Sequence, residues 1–256
     1  IADIEHDLAH LIHTSEEASW DDTRGTIVAR RIRKLGELVL EEKELAKPDP
    51  ALIQQGLLNA IRSKGLASLP WTDTTSQWCA RVKLLATVFP DEWPDVTEKT
   101  LFATLEEWLL PFLTGMQRWS DLKTLSLTEV LNGLLTYPQQ QQLNLLAPTT
   151  LTIPTGQNVR LDYTAENGPV LAAKLQALFG WLDTPTVADG KVPVLIHLLS
   201  PAQRPLAVTA DLGNFWRNVY PQVRKDVRGR YPKHPWPEDP LTAQAQQGVK
   251  NPKRRL

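Results

Sequence analysis

One cysteine in 256 residues, Cys79, has no partner for an internal disulfide, and that usage fits a reducing compartment. Trp78 and Val82 flank it, so it reads as a small apolar packing residue rather than a reactive thiol. No apolar run approaches the ~20 residues needed to span a bilayer, and no secretory pattern opens the chain. With 42% hydrophobic and 22% charged residues, a soluble, cytoplasmic globular protein is expected. Methionine is almost missing too: residue 1 is Ile and Met116 is the single one, which reads as a piece of a longer polypeptide. Net charge is −1, so no global field draws in polyanions.

Catalytic signatures are also missing. No G-x-x-x-x-G-K-[S/T] phosphate cradle occurs; Gly190-Lys191 lacks both the upstream glycine and the following Ser or Thr, which excludes P-loop ATP hydrolysis by this chain. Asp91-Glu92 sits between Pro90 and Pro94, not on the buried strand that delivers acids to Mg2+. Ser200 has no G-x-S-x-G elbow. His197 lies in an apolar strand run and reads as a buried, hydrogen-bonded histidine. Asp162 and Asp211 are isolated acids with turn or cap roles open to them. A hydrolase would need a polar cleft around His197 and Asp162. His6 and His10 stand four apart, with His13 beyond, on an expected short amphipathic helix over residues 3–13. Zinc motifs of that spacing use Glu, and Asp7 reaches one methylene less. A solvated polar face is the better reading, and no metal site is expected.

What is present is organised by period. Residues 25–33 and 37–45 read as two extended runs joined by the Lys34-Leu35-Gly36 turn, a β-hairpin. A lone hairpin is marginal, so its remaining strands are expected upstream, outside this sequence. Asp49-Pro50 caps and opens a helix ending at Gly65. A second helix is expected over 74–87. Thr97 caps a third, carrying Leu101, Leu105, Trp108 and Leu109 on one side as far as Pro111. Ser126 to Glu129 fits a capping box, and Pro138 opens a helix that stops at Pro148. From residue 149 the period changes. Strands are expected at 151–153, 159–163, 170–171, 192–199 and 206–208, with helical spacing at 175–179 and from Leu212 to Val219. The fold class is therefore α+β: a hairpin and short helix over 1–47, a helical bundle over 48–148, a small mixed module over 149–235, and an extended, disordered tail over 236–256.

Charge is uneven. Residues 24–34 hold five cations and no acid, with Arg31 and Arg33 on one strand face and Arg30 and Lys34 on the other. The run from Arg217 to His234 offers Arg224, Lys225, Arg228, Arg230 and Lys233, with Arg224 and Arg228 on one helix side. Lys250, Lys253, Arg254 and Arg255 make a basic tail. These cations either meet phosphate or form ordinary salt bridges.

The closing stretch is the most specific. In Arg228-Gly229-Arg230-Tyr231-Pro232-Lys233-His234-Pro235-Trp236-Pro237-Glu238-Asp239-Pro240, four prolines fall in nine residues, which excludes a helix or central strand. Tyr231 and Trp236 either pack across another surface of the chain or are presented to a strand of nucleic acid or a protein partner. Together with Val223 to Val227, this run resembles the C-terminal signature of the HrpB-type bacterial DExH-box ATP-dependent helicases. The resemblance extends back through Leu198 to Pro205, Phe89 to Pro94, and Arg30 to Gly36. It implies that residues 1–47 end an oligonucleotide-binding barrel. It also implies that the chain is a non-catalytic accessory region, with ATP and Mg2+ belonging to the motor domains of the parent helicase. No cofactor is expected in this chain. The implied partners are those motor domains, single-stranded RNA, or another protein. A purely structural or protein-interaction module remains the alternative.

Overall fold

The computed structural model of the protein describes residues 9–248. Two compact units are built from interleaved segments: residues up to Thr75 with Asp95–Thr136, and Ser76–Pro94 with Tyr137 onward. These units cut across the helical segment expected over 48–148.

The expected N-terminal helix is corrected by the structure. Ala9–Leu11 forms one 3-10 turn, and Ile12 already opens strand β1 (Ile12–Asp21); His6 and its neighbours lie outside the described residues. β1 pairs antiparallel with β2 (Thr26–Leu35) over ten residue pairs, from Ile12 opposite Leu35 to Asp21 opposite Thr26. That ladder outweighs a weak local helical spacing. β3 (Leu38–Glu44) pairs antiparallel with β2, so the sheet order is β1-β2-β3. The hairpin expectation holds, but the hairpin's third strand lies within the sequence. Gly36 turns at φ 56°, a backbone region that favours glycine.

Helix α1 (Pro50–Lys64) is capped by Asp49, whose carboxylate accepts the Ala51 N–H, and ends at Gly65. It lies against β1 so closely that Gly56 leaves no room for a side chain: an added Cβ would sit 2.8 Å from the Ala18 Cβ. α2 spans Asp73–Val88. The third expected helix is broken in two, α3 (Glu98–Ala103) and α4 (Leu105–Leu109). At the break the Thr104 hydroxyl donates to the Thr100 carbonyl, a back-bond that competes with the helix ladder. Leu101, Leu105, Trp108 and Leu109 are all buried nonetheless. After α5 (Trp119–Leu122), α6 (Leu127–Asn132) starts at Ser126 without a side-chain cap. The expected capping box is therefore not made. Leu57, Leu58, Ile61, Leu105, Leu109 and Leu131 fill the first unit's core.

α7 (Tyr137–Leu146) leads into the second unit's sheet. Its strands are β4 (Thr150–Thr152), β5 (Asn158–Asp162) and β6 (Val170–Lys174). A small hairpin follows, β7 (Thr186–Val187) with β8 (Val192–Pro193), then β9 (Leu195–Leu199) and β10 (Pro205–Thr209). The main sheet runs β10-β9-β6-β5-β4, and only β6 and β9 are parallel. The single apolar run expected over 192–199 divides at Val194, whose N–H is taken by the Pro185 carbonyl. Pro193 has no N–H to carry a ladder onward. α8 (Leu212–Asn214) passes through a π-helical turn, Phe215–Val219, into α9 (Tyr220–Arg228). Phe179, Phe215, Trp216 and Tyr220 pack edge to face or tilted, with centroids 5.0–6.1 Å apart. Such pairs add about 0.5–1.5 kcal/mol each beyond their burial.

The expected tail has a defined path over its first part. Gly180 donates its N–H to the Pro240 carbonyl, and Gln246 donates to the Gln176 carbonyl at 2.9 Å. The basic tail at Lys250–Arg255 lies outside the described residues. Among the described residues, no helix is long and apolar enough to cross a membrane.

Candidate nucleic-acid interface

The two cationic groups found in the sequence fall in different units and differ in electrostatic state. In the three-stranded sheet, every candidate cation meets a carboxylate. Arg30 binds Asp21 at 3.2 Å and Glu42 at 3.1 Å, and Arg31 binds Glu16 at 2.8 Å. Arg33 binds Glu41 at 3.1 Å, and Lys34 reaches Glu17 at 3.5 Å. Arg24 adds a 2.7 Å pair with Glu44. The acids arrive from β1 and β3, so the local excess of positive charge along β2 disappears once the sheet forms. Each such exposed pair contributes about 0–1 kcal/mol. A phosphate entering here would have to displace carboxylates and then sit beside them.

The second group is arranged otherwise. On α9, Arg224 is drawn inward: its Nε donates to the Trp236 carbonyl at 2.7 Å and its Nη2 lies 3.3 Å from Glu238. Tyr220 donates its hydroxyl to the Pro237 carbonyl at 2.9 Å, and burial pushes that phenol up to about 12. Trp236 donates its indole N–H to the Tyr231 carbonyl at 3.0 Å. The Tyr231 hydroxyl lies 3.4 Å from Ser200 Oγ. These contacts fold the proline-rich segment back against α9 and the turn after β9. Tyr231 and Trp236 are half-buried in this clamp. Lys225, Arg228, Arg230 and Lys233 are exposed, and among the described residues none of them has an ion-pair partner. The structure thus brings Arg224, Tyr231 and Trp236 together as a clamp and leaves four cations outside it.

Among the described residues, no other chemistry assembles where the sequence offered it. Among the described residues no group of His, Cys, Asp and Glu is placed to hold a metal. His10 lies in the 3-10 turn and His13 on β1, so these two do not share a helix face; His6 lies outside the described residues. Asp162 accepts hydrogen bonds from Thr164 and Gln77, which hold its carboxyl below the usual range. It pairs across the ladder with Val170 on β6, whereas His197, on the far side of β6, pairs with Ala172. Burial pushes the Cys79 thiol up to about 11, so it stays protonated and unreactive at neutral pH.

Sequence reasoning missed two side chains on α2 that bind the second unit together. Gln77 donates to Asp162 at 2.6 Å and accepts the Tyr163 N–H at 2.9 Å. Arg81 is 6% exposed, and its guanidinium donates to the Ala147 and Leu143 carbonyls and to Asn144 Oδ1 at 2.6–3.1 Å. It satisfies carbonyls at the C-terminal end of α7, where the helix dipole is negative. No local pattern signals this, because the partners lie over 60 residues away.

A family model described as "ATP-dependent helicase C-terminal" matches residues 108–240, and one described as "ATP-dependent RNA helicase HrpB, connector region" matches residues 11–45. The ATP-dependent RNA helicase HrpB of Escherichia coli K12 is 43% identical over 231 residues, which is 90% of this chain and 29% of that protein. The crystal structure of the E. coli DExH-box NTPase HrpB aligns with a TM-score of 0.78 at 40% identity, over 95% of this chain and 30% of that one. A second, of the E. coli DEAH/RHA helicase HrpB, aligns with a TM-score of 0.69 at 41% identity, over 88% and 29%. The sequence therefore spans under a third of the relatives it matches. From these matches and the signature at 228–240, the chain belongs to the HrpB family of ATP-dependent helicases and corresponds to a C-terminal part of its members.

Proposed function

We propose that this chain is a non-catalytic accessory region of an ATP-dependent RNA helicase. ATP and Mg2+ would be handled by motor domains elsewhere in the parent polypeptide, acting in the cytoplasm. The chain's own contribution is to hold single-stranded RNA by its backbone, through Lys225 and Arg228 on α9 and Arg230 and Lys233 just beyond. One observation carries this reading: those four cations are exposed and without ion-pair partners among the described residues. The sheet cations Arg30, Arg31, Arg33 and Lys34 are matched by acids instead. Phosphate contacts release counterions and need accessible, unneutralised Lys or Arg. On the same reading, the three-stranded sheet is part of an oligonucleotide-binding barrel that contributes shape rather than charge.

The test is fluorescence anisotropy of a labelled single-stranded RNA at several salt concentrations. The double variant Lys225→Glu/Arg228→Glu weakens binding and makes the log Kd against log salt slope shallower by roughly 1.4 if two phosphate contacts are lost. Unchanged, salt-insensitive binding would reject the role. The second reading, a structural or protein-interaction module, draws on the clamp around Trp236. Trp236→Ala lowers the Tm by opening that clamp and leaves RNA affinity unchanged. If the charge reversals act only on Tm, the second reading takes over.

A further inference from the structure

The cationic face of the second unit does not stop at Lys233. β6 and β9 run parallel and end together: Lys174, the last residue of β6, pairs with Leu199, the last of β9. The next residue, Ser200, is 1% exposed and ties two further segments to these strand ends. Its N–H donates to the Arg204 carbonyl at 2.8 Å, and its Oγ accepts the Arg204 N–H at 3.0 Å. Gln203 closes that turn at φ 61°, and its N–H donates to the Ser200 carbonyl at 2.8 Å. The same Ser200 Oγ lies 3.4 Å from the Tyr231 hydroxyl. Past Tyr231 the chain turns again. The His234 N–H donates to the Tyr231 carbonyl at 3.1 Å, and the two rings stand edge to face, 6.4 Å apart. Lys174, Arg204, Arg230 and Lys233 are thereby gathered from three segments around Ser200 and Tyr231. The Lys174 ammonium also disfavours the protonated form of His234, after the larger effect of burial, which fits a side chain turned toward this segment.

Two of these cations belong to no group described above. Among the described residues, neither Lys174 nor Arg204 has an ion-pair partner, and Arg204 is exposed. In the three-stranded sheet, carboxylates neutralise the cations. Here ladder pairing and turn hydrogen bonds fix the backbone that carries the charge, and the charge itself stays free. Less ordering is then left to binding. The kind of ligand follows from what the strip presents. A protein partner needs a buried aromatic or aliphatic anchor, but Tyr231 and Trp236 are engaged in the clamp. The side chains left over are Lys and Arg. A polyanion whose phosphates recur along an extended chain needs only such cations. We propose that the RNA strand held by Lys225, Arg228, Arg230 and Lys233 continues over the joint ends of β6 and β9, where Arg204 and Lys174 contact two further phosphates. This rests on the RNA-binding reading of α9 and lengthens its site toward the sheet.

The test follows the anisotropy of a labelled single-stranded RNA of about 12 nucleotides, within the usual span of single-strand sites, over a salt series with the whole chain. Lys174→Gln/Arg204→Gln removes two contacts without adding acid. The log K against log salt slope should become shallower by roughly 1.4, and this change should add to that of Lys225→Glu/Arg228→Glu. A thermal melt shows whether the Gln pair folds. If it does not, Arg204→Gln alone, at an exposed turn position, decides with a change of roughly 0.7. An unchanged slope in these variants, while the α9 pair still shifts it, overturns this proposal and leaves the α9 reading standing. A change seen only with Lys174→Glu/Arg204→Glu marks long-range repulsion instead of contact and overturns it as well. No RNA bound at low salt overturns the α9 reading and this proposal with it. If the Gln pair loses binding to an acidic peptide but keeps its RNA slope, the strip belongs to a protein partner and the proposal is overturned.

Discussion

Arg81 and His234 show how single cations are set by surroundings rather than by type. Arg81 is buried, and its charge is met by carbonyls and an amide oxygen instead of a carboxylate; desolvation lowers its proton affinity. Arg81→Met keeps much of the volume but orphans the Ala147 and Leu143 carbonyls. A loss of about 2–4 kcal/mol in unfolding free energy is expected, read from urea denaturation. A loss no larger than that of an exposed Arg→Met change would show that water satisfies these acceptors. His234 is poised the other way. Its partial burial, and then the Lys174 ammonium, hold it below the ordinary value of 6.5. The unfolded chain thus binds the proton more readily. The stability owed to neutral His234 is complete above pH 6.5 and is lost as pH falls through the lowered value. His234→Gln should therefore flatten the fall in Tm between about pH 7 and 5. Equal pH dependence in the variant would mean that other groups dominate that window.

Among elements, α1 approaches β1 closely at Gly56. Gly56 would place a Cβ 2.8 Å from the Ala18 Cβ and 2.9 Å from its carbonyl oxygen. The obstacle includes backbone, which yields poorly. Gly56→Ala gains helix propensity of roughly 1 kcal/mol, but overpacking at such a site costs about 1–3 kcal/mol and shifts the helix. The expected net result is a lower Tm together with altered amide exchange in β1. A stabilised variant would show that the helix can move off the strand without cost. The same sheet shows why cations on one strand are a poor guide to a binding face. β2 alone reads as a strongly basic ribbon, yet Glu16, Glu17, Glu41 and Glu42 arrive from its two neighbours.

For the whole chain, the missing phosphate cradle and the match to under a third of its relatives' length point the same way. The purified 256-residue protein is expected to show no ATP turnover above buffer, with or without RNA, in a phosphate-release assay. Sustained turnover by protein free of contaminating enzyme would refute the accessory role. The sequence by itself determined the pieces governed by neighbours along the chain. These are the hairpin turn at Gly36, the Asp49 and Gly65 ends of α1, the helical stretch between Pro138 and Pro148, and the signature at 228–240, whose prolines forbid helix. Only the tertiary structure decided the rest. β1 became a strand because ten pairings with β2 were available to it. Thr104 interrupted a helix whose apolar stripe was unbroken. Arg24, Arg30, Arg31, Arg33 and Lys34 were neutralised from across the sheet, while Lys225, Arg228, Arg230 and Lys233 were left facing water. The reason is range: turns, caps and proline effects are fixed within a few residues, whereas burial and charge pairing depend on what the folded chain brings alongside from far away.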